Sequence, residues 1–235
     1  MLVVSGVSKS FRGLKAVSNA SFEVAQGAIV GLIGPNGAGK TTLFNVVAGV
    51  YACDTGEVRF AGRRIDGLRP DQVCSAGIGR TFQIVKPFAG LSVLDNVIVG
   101  ALQRSKDVSA AKSYAAEIVE RLGLGAKRDL PASSLTLPDR KRLEVARALA
   151  TRPQLLLLDE VMAGLRPTEC DQMVEIFREL NRREGLTILL IEHVMRAVMA
   201  LAPHIVVLHH GEIIARGAPA DVVREVGVFA ERGDI

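Results

Sequence analysis

The sequence predicts an α/β fold with a mainly parallel core sheet, an antiparallel β layer and an inserted helical lobe. Two continuously apolar runs, residues 28–33 and 155–158, are typical of strands buried on both faces of a parallel sheet. Between them, residues 93–102 and 110–122 are predicted to be helices, and the second is amphipathic because its apolar side chains recur every three or four positions. Short segments with apolar alternation or β-branched residues predict the antiparallel layer. They are residues 2–7, 20–24 and 57–60.

The length and composition suit one folded domain. With 235 residues, 49% of them hydrophobic, the chain can bury a sizeable core, and no repeat or linker-like segment divides it. We therefore predict a single domain over residues 1–235. Residues 1–81 and 151–235 would form the core with its antiparallel layer, and residues 82–150 the helical lobe. Residues 77–83 read as a glycine-punctuated link into that lobe.

Charge and composition favour a protein of the cytoplasm that does not bind nucleic acid. The net charge is +4, but Lys and Arg are dispersed, aromatic content is 4% and Trp is absent. The densest basic cluster, residues 140–142 with Arg147, is interleaved with Glu144 and is interpreted as a solvated helix face. No apolar run is long enough to span a bilayer, and the first residues lack a secretory signal pattern. The three cysteines show no C-x-x-C spacing, which fits a reducing compartment.

A glycine-rich loop at residues 34–42 lies between the first apolar run and a predicted helix over residues 40–50. It matches the pattern G-x-x-x-x-G-K-T, which makes a phosphate cradle far more plausible than an ordinary turn. Lys40 would reach the β- and γ-phosphates, Thr41 would coordinate Mg²⁺, and Thr42 would touch the α-phosphate. The candidate phosphate-binding residues of this loop are Gly34, Asn36, Gly37, Gly39, Lys40, Thr41 and Thr42.

Two acids follow the second apolar run, at the carboxyl end of a predicted strand where ligands bind in open α/β sheets. Asp159 would hold Mg²⁺ through water, and Glu160 would orient and polarise the water that attacks the γ-phosphate. The alternative is an acid pair that only caps a turn. The complete phosphate loop elsewhere in the chain favours the catalytic interpretation.

The remaining elements follow from the same patterns. Residues 135–139 lead into another predicted helix. Pro138 suits the first position of this helix, and Asp139 suits its positive end. Beyond the acids we predict a helix over residues 169–183 and a strand over residues 186–191. A hairpin over residues 205–208 and 212–215 follows, and then a terminal helix that begins at Pro219. Phe11 falls in the turn between the first two strands, where its ring either stacks on a purine or packs in the core.

With these motifs in order, the chain resembles the ATP-binding subunits of ABC transporters over essentially its whole length. Phe11 matches the adenine-stacking aromatic, Gln83 the glutamine of the Q-loop, and His193 the switch histidine that contacts the γ-phosphate. The resemblance implies a RecA-like core of the P-loop NTPase fold, ABC type, that binds ATP and Mg²⁺. Gln83 would also approach the metal, as its amide oxygen permits. Within the family, residues 77–83, 92–97, 163–169 and 191–193 look most like the branched-chain amino-acid importers.

That group implies partners. Its members handle branched-chain amino acids and also amides, urea and aromatic acids, and they work at the cytoplasmic face of the inner membrane. Each importer pairs two related ATPases with two membrane permease subunits, which the helical lobe grips, and an external substrate-binding protein acts through the permease. An exporter ATPase of the lipopolysaccharide-extraction type is an alternative. A non-transport ABC protein that acts as a nucleotide-dependent binding module is another.

Three positions depart from the family pattern. Residues 135–139 read L-T-L-P-D where the family has L-S-G-G-Q, so both glycines are missing and Pro138 cannot donate an N–H. Arg166 replaces an acid or amide, and Val161 replaces a proline. The altered segment would face the nucleotide held by the opposite subunit, so we expect a non-identical ATPase partner and two unequal sites. A homodimer stays open, with Thr136 in the nucleotide-contacting role.

Overall fold

The structure is a computed structural model that describes residues 1–83 and 87–222. Ten strands form two sheets, and seven α-helices surround and extend them within this range. The strands are β1 (Leu2–Phe11), β2 (Leu14–Val24), β3 (Ile29–Ile33), β4 (Thr55–Phe60), β5 (Arg63–Arg64), β6 (Ile78–Arg80), β7 (Leu155–Asp159), β8 (Thr187–Ile191), β9 (His204–His209) and β10 (Glu212–Gly217). The helices are α1 (Lys40–Val47), α2 (Pro70–Ala76), α3 (Val93–Ala101), α4 (Val108–Arg121), α5 (Leu137–Ala150), α6 (Pro167–Glu184) and α7 (Met195–Leu201).

The core sheet has the order β10-β9-β3-β8-β7-β6, and all its neighbours pair in parallel except β10 with β9. Strands β7 and β8 are buried at every position, as expected for strands covered on both faces. The second sheet has the order β2-β1-β4-β5 and is antiparallel throughout. The predicted parallel core and antiparallel layer are both confirmed.

The edge strand β6 corrects the prediction that residues 77–83 are a link. Residues 78–80 pair in parallel with β7, and Ile78 is buried. A Cβ on Gly79 would lie only 3.0 Å from the Pro153 side chain, so glycine lets this strand pack closely against the chain that enters β7. A three-residue strand that contains glycine carries too little periodicity to be recognised from sequence.

The helices of residues 93–150 pack together, with α3 against α4 and both against α5. The prediction that residues 140–142 form a solvated helix face is wrong for Lys141. Lys141 is 5% exposed, and the interleaved Glu144 is 3% exposed. The reason is that α5 packs against α3, α4 and β6, and Lys141 reaches the carbonyl oxygen of Glu160, directly after β7. Thr136 is the N-cap of α5, so Pro138 occupies its second position instead of the first.

Other elements differ from their predictions by a few residues at the ends. Phe11 is the last residue of β1 instead of a turn residue, and α1 stops at Val47 before Gly49, whose φ is +75°. The part of the predicted terminal helix from residue 223 onwards lies outside the described residues. Among the helices that the structure describes, none is both long and apolar enough to cross a membrane.

Phe177 on α6 provides a test of the packing, because its side chain is fully buried against the core sheet. We expect Phe177→Ala to lower the free energy of unfolding by about 3–5 kcal/mol, the cost of a large core cavity. Chemical denaturation checks this. The matched control is Phe88→Ala, since the ring of Phe88 is 46% exposed, and its cost should stay below about 1 kcal/mol. Equal losses in the two variants would contradict the packing described.

Candidate nucleotide-binding site

The loop between β3 and α1 is pressed against neighbouring backbone at two glycines. A Cβ on Gly34 would lie 2.0 Å from the carbonyl oxygen of Leu208, and one on Gly39 would lie 2.1 Å from that of Ala16. Their φ angles are +149° and +101°. Gly37, in contrast, has open space on its side-chain face. Glycine is therefore required at 34 and 39 to shape the loop, and Gly37 leaves backbone uncovered where a phosphate would approach.

Lys40 begins helix α1 and turns back over the loop. Its ammonium group donates to the carbonyl oxygens of Gly34, at 2.7 Å, and Pro35, at 2.9 Å. Burial lowers the pKa of Lys40, and the carboxylates of Glu160 and Asp159 oppose that shift. The ammonium thus lies between the loop and the acids that end β7, where it can bind an anion.

Asp159 ends β7 and is 1% exposed. Its Oδ2 accepts a hydrogen bond of 3.1 Å from Arg80 on β6, whose other terminal nitrogen donates to Asn45 of α1 at 2.6 Å. Its Oδ1 has no hydrogen-bond partner among the described residues. Burial raises the pKa of Asp159, and Arg80 opposes this. A buried carboxylate oxygen without a donor is the ligand type that Mg²⁺ prefers, so Asp159 fits a metal-binding role.

The side chain of Glu160 forms hydrogen bonds with two of the predicted site residues. Its Oε2 accepts a hydrogen bond of 2.8 Å from the side-chain amide of Gln83, and its Oε1 lies 2.8 Å from Nε2 of His193. Gln83 and His193 lie 77 and 33 positions away from Glu160 along the chain, so the fold brings them together. Of the four side chains predicted as catalytic, which include Lys40, three therefore form one cluster beside the ends of β7 and β8: Gln83, Glu160 and His193.

Two buried residues beside this cluster were missed by sequence reasoning. Lys141 on α5 donates to the carbonyl oxygen of Glu160 at 2.8 Å, and Glu192, directly after β8, accepts from the backbone N–H of Met162 at 2.8 Å. Burial raises the pKa of Glu192 to about 7, and lowers that of Lys141. Glu192 directly precedes His193, so its position after a buried strand was a usable signal. Lys141 lies in a run of basic residues, and this pattern gave no signal that it would be buried.

A cleft of about 370 Å³ opens between the loop and the catalytic cluster, a volume in the range of small-molecule sites. Its lining includes most of the predicted residues: Asn36, Gly37, Gly39, Lys40, Thr41, Thr42, Gln83, Glu160 and His193. Leu14, Lys15, Ala16, Ala38 and His210 complete it.

Three predicted nucleotide contacts, Phe11, Gly34 and Thr136, lie outside this lining. The ring of Phe11 is 38% exposed and packs edge-to-face on Tyr51, with ring centroids 5.1 Å apart. The hydroxyl of Thr136 donates to Oδ2 of Asp139 at 2.6 Å. Adenine stacking by Phe11 and a nucleotide contact by Thr136 stay predictions.

A glycine-rich loop whose helix faces two acids at the end of a parallel strand defines a P-loop nucleotide-binding protein. The ABC transporter family model matches residues 17–163 of this chain. The chain belongs to the ABC transporter family.

Curated relatives and solved structures are similar to this chain over almost its whole length. The chain is 39% identical to the high-affinity branched-chain amino acid transport ATP-binding protein LivG of Salmonella typhimurium, covering 94% of this chain and 93% of the relative. It is 36% identical to the corresponding protein BraF of Pseudomonas aeruginosa, with the same coverage. The ADP conformation of MJ1267, an ATP-binding cassette of an ABC transporter, superposes with a TM-score of 0.86 at 31% identity, covering 96% of this chain and 94% of that one.

The predicted family and fold class are thereby confirmed. The protein is an ATP-binding component of a membrane transporter, from a family that hydrolyses ATP. The division at residues 82 and 150 and the roles of individual site residues stay predictions.

Glu192 gives a pH-dependent prediction. The carboxyl has an ordinary pKa of 4.5, which rises to about 7 in the folded chain, so the folded state holds its proton where the unfolded state loses it. The free energy of unfolding should therefore fall as pH rises from about 5 to about 8, and this group contributes at most about 3 kcal/mol to the fall. Glu192→Gln should remove that part of the decline, as measured by denaturation at several pH values. The exposed Glu117→Gln serves as control, and an unchanged profile in Glu192→Gln would contradict the shift.

Proposed function

We propose that the protein is a Mg²⁺-dependent ATPase that powers an importer of branched-chain amino acids or related amides and organic acids. The observation that carries this proposal is the convergence of Gln83 and His193 on Glu160, at the mouth of a cleft lined by the phosphate loop. The relatives that match 94% of this chain are named for branched-chain amino acid transport, and they supply the substrate class.

The loop and α1 would bind the triphosphate. Backbone N–H groups around Gly37 and the positive end of α1 provide donors, and the ammonium of Lys40 pairs with the β- and γ-phosphates in place of the loop carbonyls it now contacts. Thr42 lines the same cleft and would contact the α-phosphate. Phe11 would stack on the adenine ring.

Mg²⁺ would be held by the hydroxyl of Thr41, by Gln83 and by Asp159, whose Oδ1 is available for it. When bound, the ion supplies neutralisation of charge on the β- and γ-phosphate oxygens. Arg80 keeps the other oxygen of Asp159 fixed, so the carboxylate is oriented before any ligand arrives.

Glu160 would orient and polarise the attacking water, and His193 would contact the γ-phosphate. Both groups now bond to each other at 2.8 Å. Hydrolysis then depends on positioning and charge complementarity, and no covalent intermediate on the protein is needed.

The membrane partner would dock in an apolar groove between the core sheet and the helical lobe. Exposed side chains of Val50, Phe82 and Val99 line it, with α5 residues at its back. An exposed apolar patch of this kind on a water-facing surface indicates a protein partner. Two permease subunits at this position would hold the chain at the cytoplasmic face of the inner membrane, with the external binding protein acting through them.

A non-identical ATPase partner is favoured by the segment around α5. Pro138 has no N–H to donate, and the Thr136 hydroxyl donates to Asp139. The Leu137 side chain packs close to Gly164, 3.2 Å from where a Cβ on that glycine would lie. This segment therefore offers few donors to a nucleotide on an opposite subunit. The site built from Lys40, Asp159 and Glu160 of this chain would hydrolyse ATP with the partner's intact segment.

Glu160→Gln tests the catalytic role. We expect turnover at this site to fall by a factor of about 10²–10³, while binding of Mg·ATP stays within about twofold, because the amide keeps the shape but not the basicity. Steady-state phosphate release and a fluorescent nucleotide titration measure the two. Chelation of Mg²⁺ by EDTA should abolish turnover of the unaltered chain, and turnover that survives would refute the metal requirement.

The unequal-site proposal is tested in the reconstituted complex with both ATPase subunits. Glu160→Gln in this chain alone should remove most turnover of the complex, and the equivalent change in the partner should have a smaller effect. Near-full turnover after the change in this chain would overturn the proposal.

Val99→Asp tests the docking groove. A charge there should reduce co-purification of the membrane subunits by about tenfold or more, because it would be buried at the interface. The control is Val108→Asp on α4, which is 63% exposed and outside the groove. Quantitative mass spectrometry of the purified complex measures the effect. Equal recovery with both variants would argue against docking at this groove, and co-purification with ribosomes or DNA would replace the transport proposal.

A further inference from the structure

Two ionisable side chains are almost wholly buried beside the loop that carries Glu160, although neither lines the nucleotide cleft. Lys141 is 5% exposed and Glu192 is 1% exposed. Buried charges are costly unless they have specific partners, so their presence calls for an explanation.

Both side chains bond to backbone of the same three-residue segment. The ammonium of Lys141 reaches the carbonyl oxygen of Glu160, and the carboxylate of Glu192 reaches the N–H of Met162, each at 2.8 Å. The backbone N–H of Glu160 donates to the carbonyl oxygen of Ile191 at 2.9 Å. Residues 160–162 are thus fixed from α5 on one side and from the end of β8 on the other.

The backbone at Glu160 needs this support. Its φ is +50°, in the left-handed region that disfavours any residue with a β-carbon. Such a conformation persists only where the surroundings determine it, and it sets the direction in which the side chain leaves the backbone. Here that direction brings the carboxylate to Gln83 and His193.

Charge links the two buried residues to each other. The ammonium of Lys141 attracts the carboxylates of Glu192, Glu160 and Asp159. Glu192 Oε2 has no hydrogen-bond partner within the described part of the chain, so Lys141 provides the nearby positive charge that this carboxylate faces. Lys141 therefore both holds the segment and offsets buried negative charge.

We propose that Lys141 and Glu192 are positioning residues that fix the backbone of residues 160–162 so that the Glu160 carboxylate faces the nucleotide cleft. Lys141 belongs to α5, and this helix begins one residue after Thr136. The position of Glu160 therefore depends on the helical lobe of the same chain. The catalytic consequence rests on the function proposed above, because it assumes that Glu160 acts on water.

The first test compares Lys141→Met with Lys112→Met in the full chain, within its reconstituted complex. Methionine keeps the length of the side chain but removes the donor and the charge, and Lys112 is an exposed position on α4. We expect Lys141→Met to lower kcat by about tenfold to a hundredfold, as small displacements of a catalytic group do. KM for ATP and the affinity for nucleotide should stay within about twofold, and Lys112→Met should match the unaltered chain.

Conservative variants separate positioning from simple stability. Lys141→Arg keeps a cationic donor and should retain more activity than Lys141→Met. Glu192→Gln keeps an acceptor for the Met162 N–H and should retain more activity than Glu192→Leu. If kcat follows thermal stability across the four variants instead of the donor and acceptor chemistry, the proposal is wrong.

Hydrogen exchange gives a readout that does not depend on turnover. Amides of residues 160–163 should exchange faster in Lys141→Met than in Lys112→Met, while those of α1 stay unchanged. If the unaltered complex hydrolyses no ATP, the proposed function fails, and this exchange difference alone decides the positioning role. Unchanged exchange at residues 160–163, or an unchanged kcat in an active complex, overturns it.

Discussion

The site depends on the compensation of buried charge at the carboxyl ends of β7 and β8. Asp159, Glu160 and Glu192 bring three carboxylates into a region with little water. Three cations face them, and they are Lys40, Arg80 and Lys141. Charges this deep persist only with such partners, so the acids and the cations constrain one another's positions.

The cations come from three different parts of the fold. Lys40 starts α1 after the phosphate loop, Arg80 lies on edge strand β6, and Lys141 lies on α5 in the helical lobe. Arg80 also lines the apolar groove, while its guanidinium contacts Asp159. A ligand that changes the charge at Asp159 therefore acts directly on a residue of the proposed docking surface. In the proposed function, the side chain that compensates the charge of Asp159 therefore also lies on the docking surface.

The sequence predicts the parts of the site that are encoded over a few adjacent residues. The phosphate loop and the acids after residues 155–158 are local patterns, and the apolar runs that flank them predict the strands that position them. The sequence does not predict the roles of Arg80 and Lys141, because these roles arise from contacts with Asp159 and Glu160. These partners are 79 and 19 positions away along the chain. A basic residue in a helix reads as solvated until the packing of that helix on the sheet is known.

In the proposed mechanism, the hydrogen bonds of Glu160 define the rearrangement that hydrolysis would require. Its two carboxylate oxygens are bonded to Gln83 and to His193, respectively. A base that is to accept a proton from water needs a free lone pair in the right direction, and a histidine that is to contact phosphate must release the carboxylate. Because the backbone at Glu160 is held by Lys141 and Ile191, the proposed exchange of partners would come from movement of Gln83 and His193. Gln83 lies three residues after β6, beside the predicted start of the helical lobe, so in the proposed mechanism movement of that lobe would start the exchange.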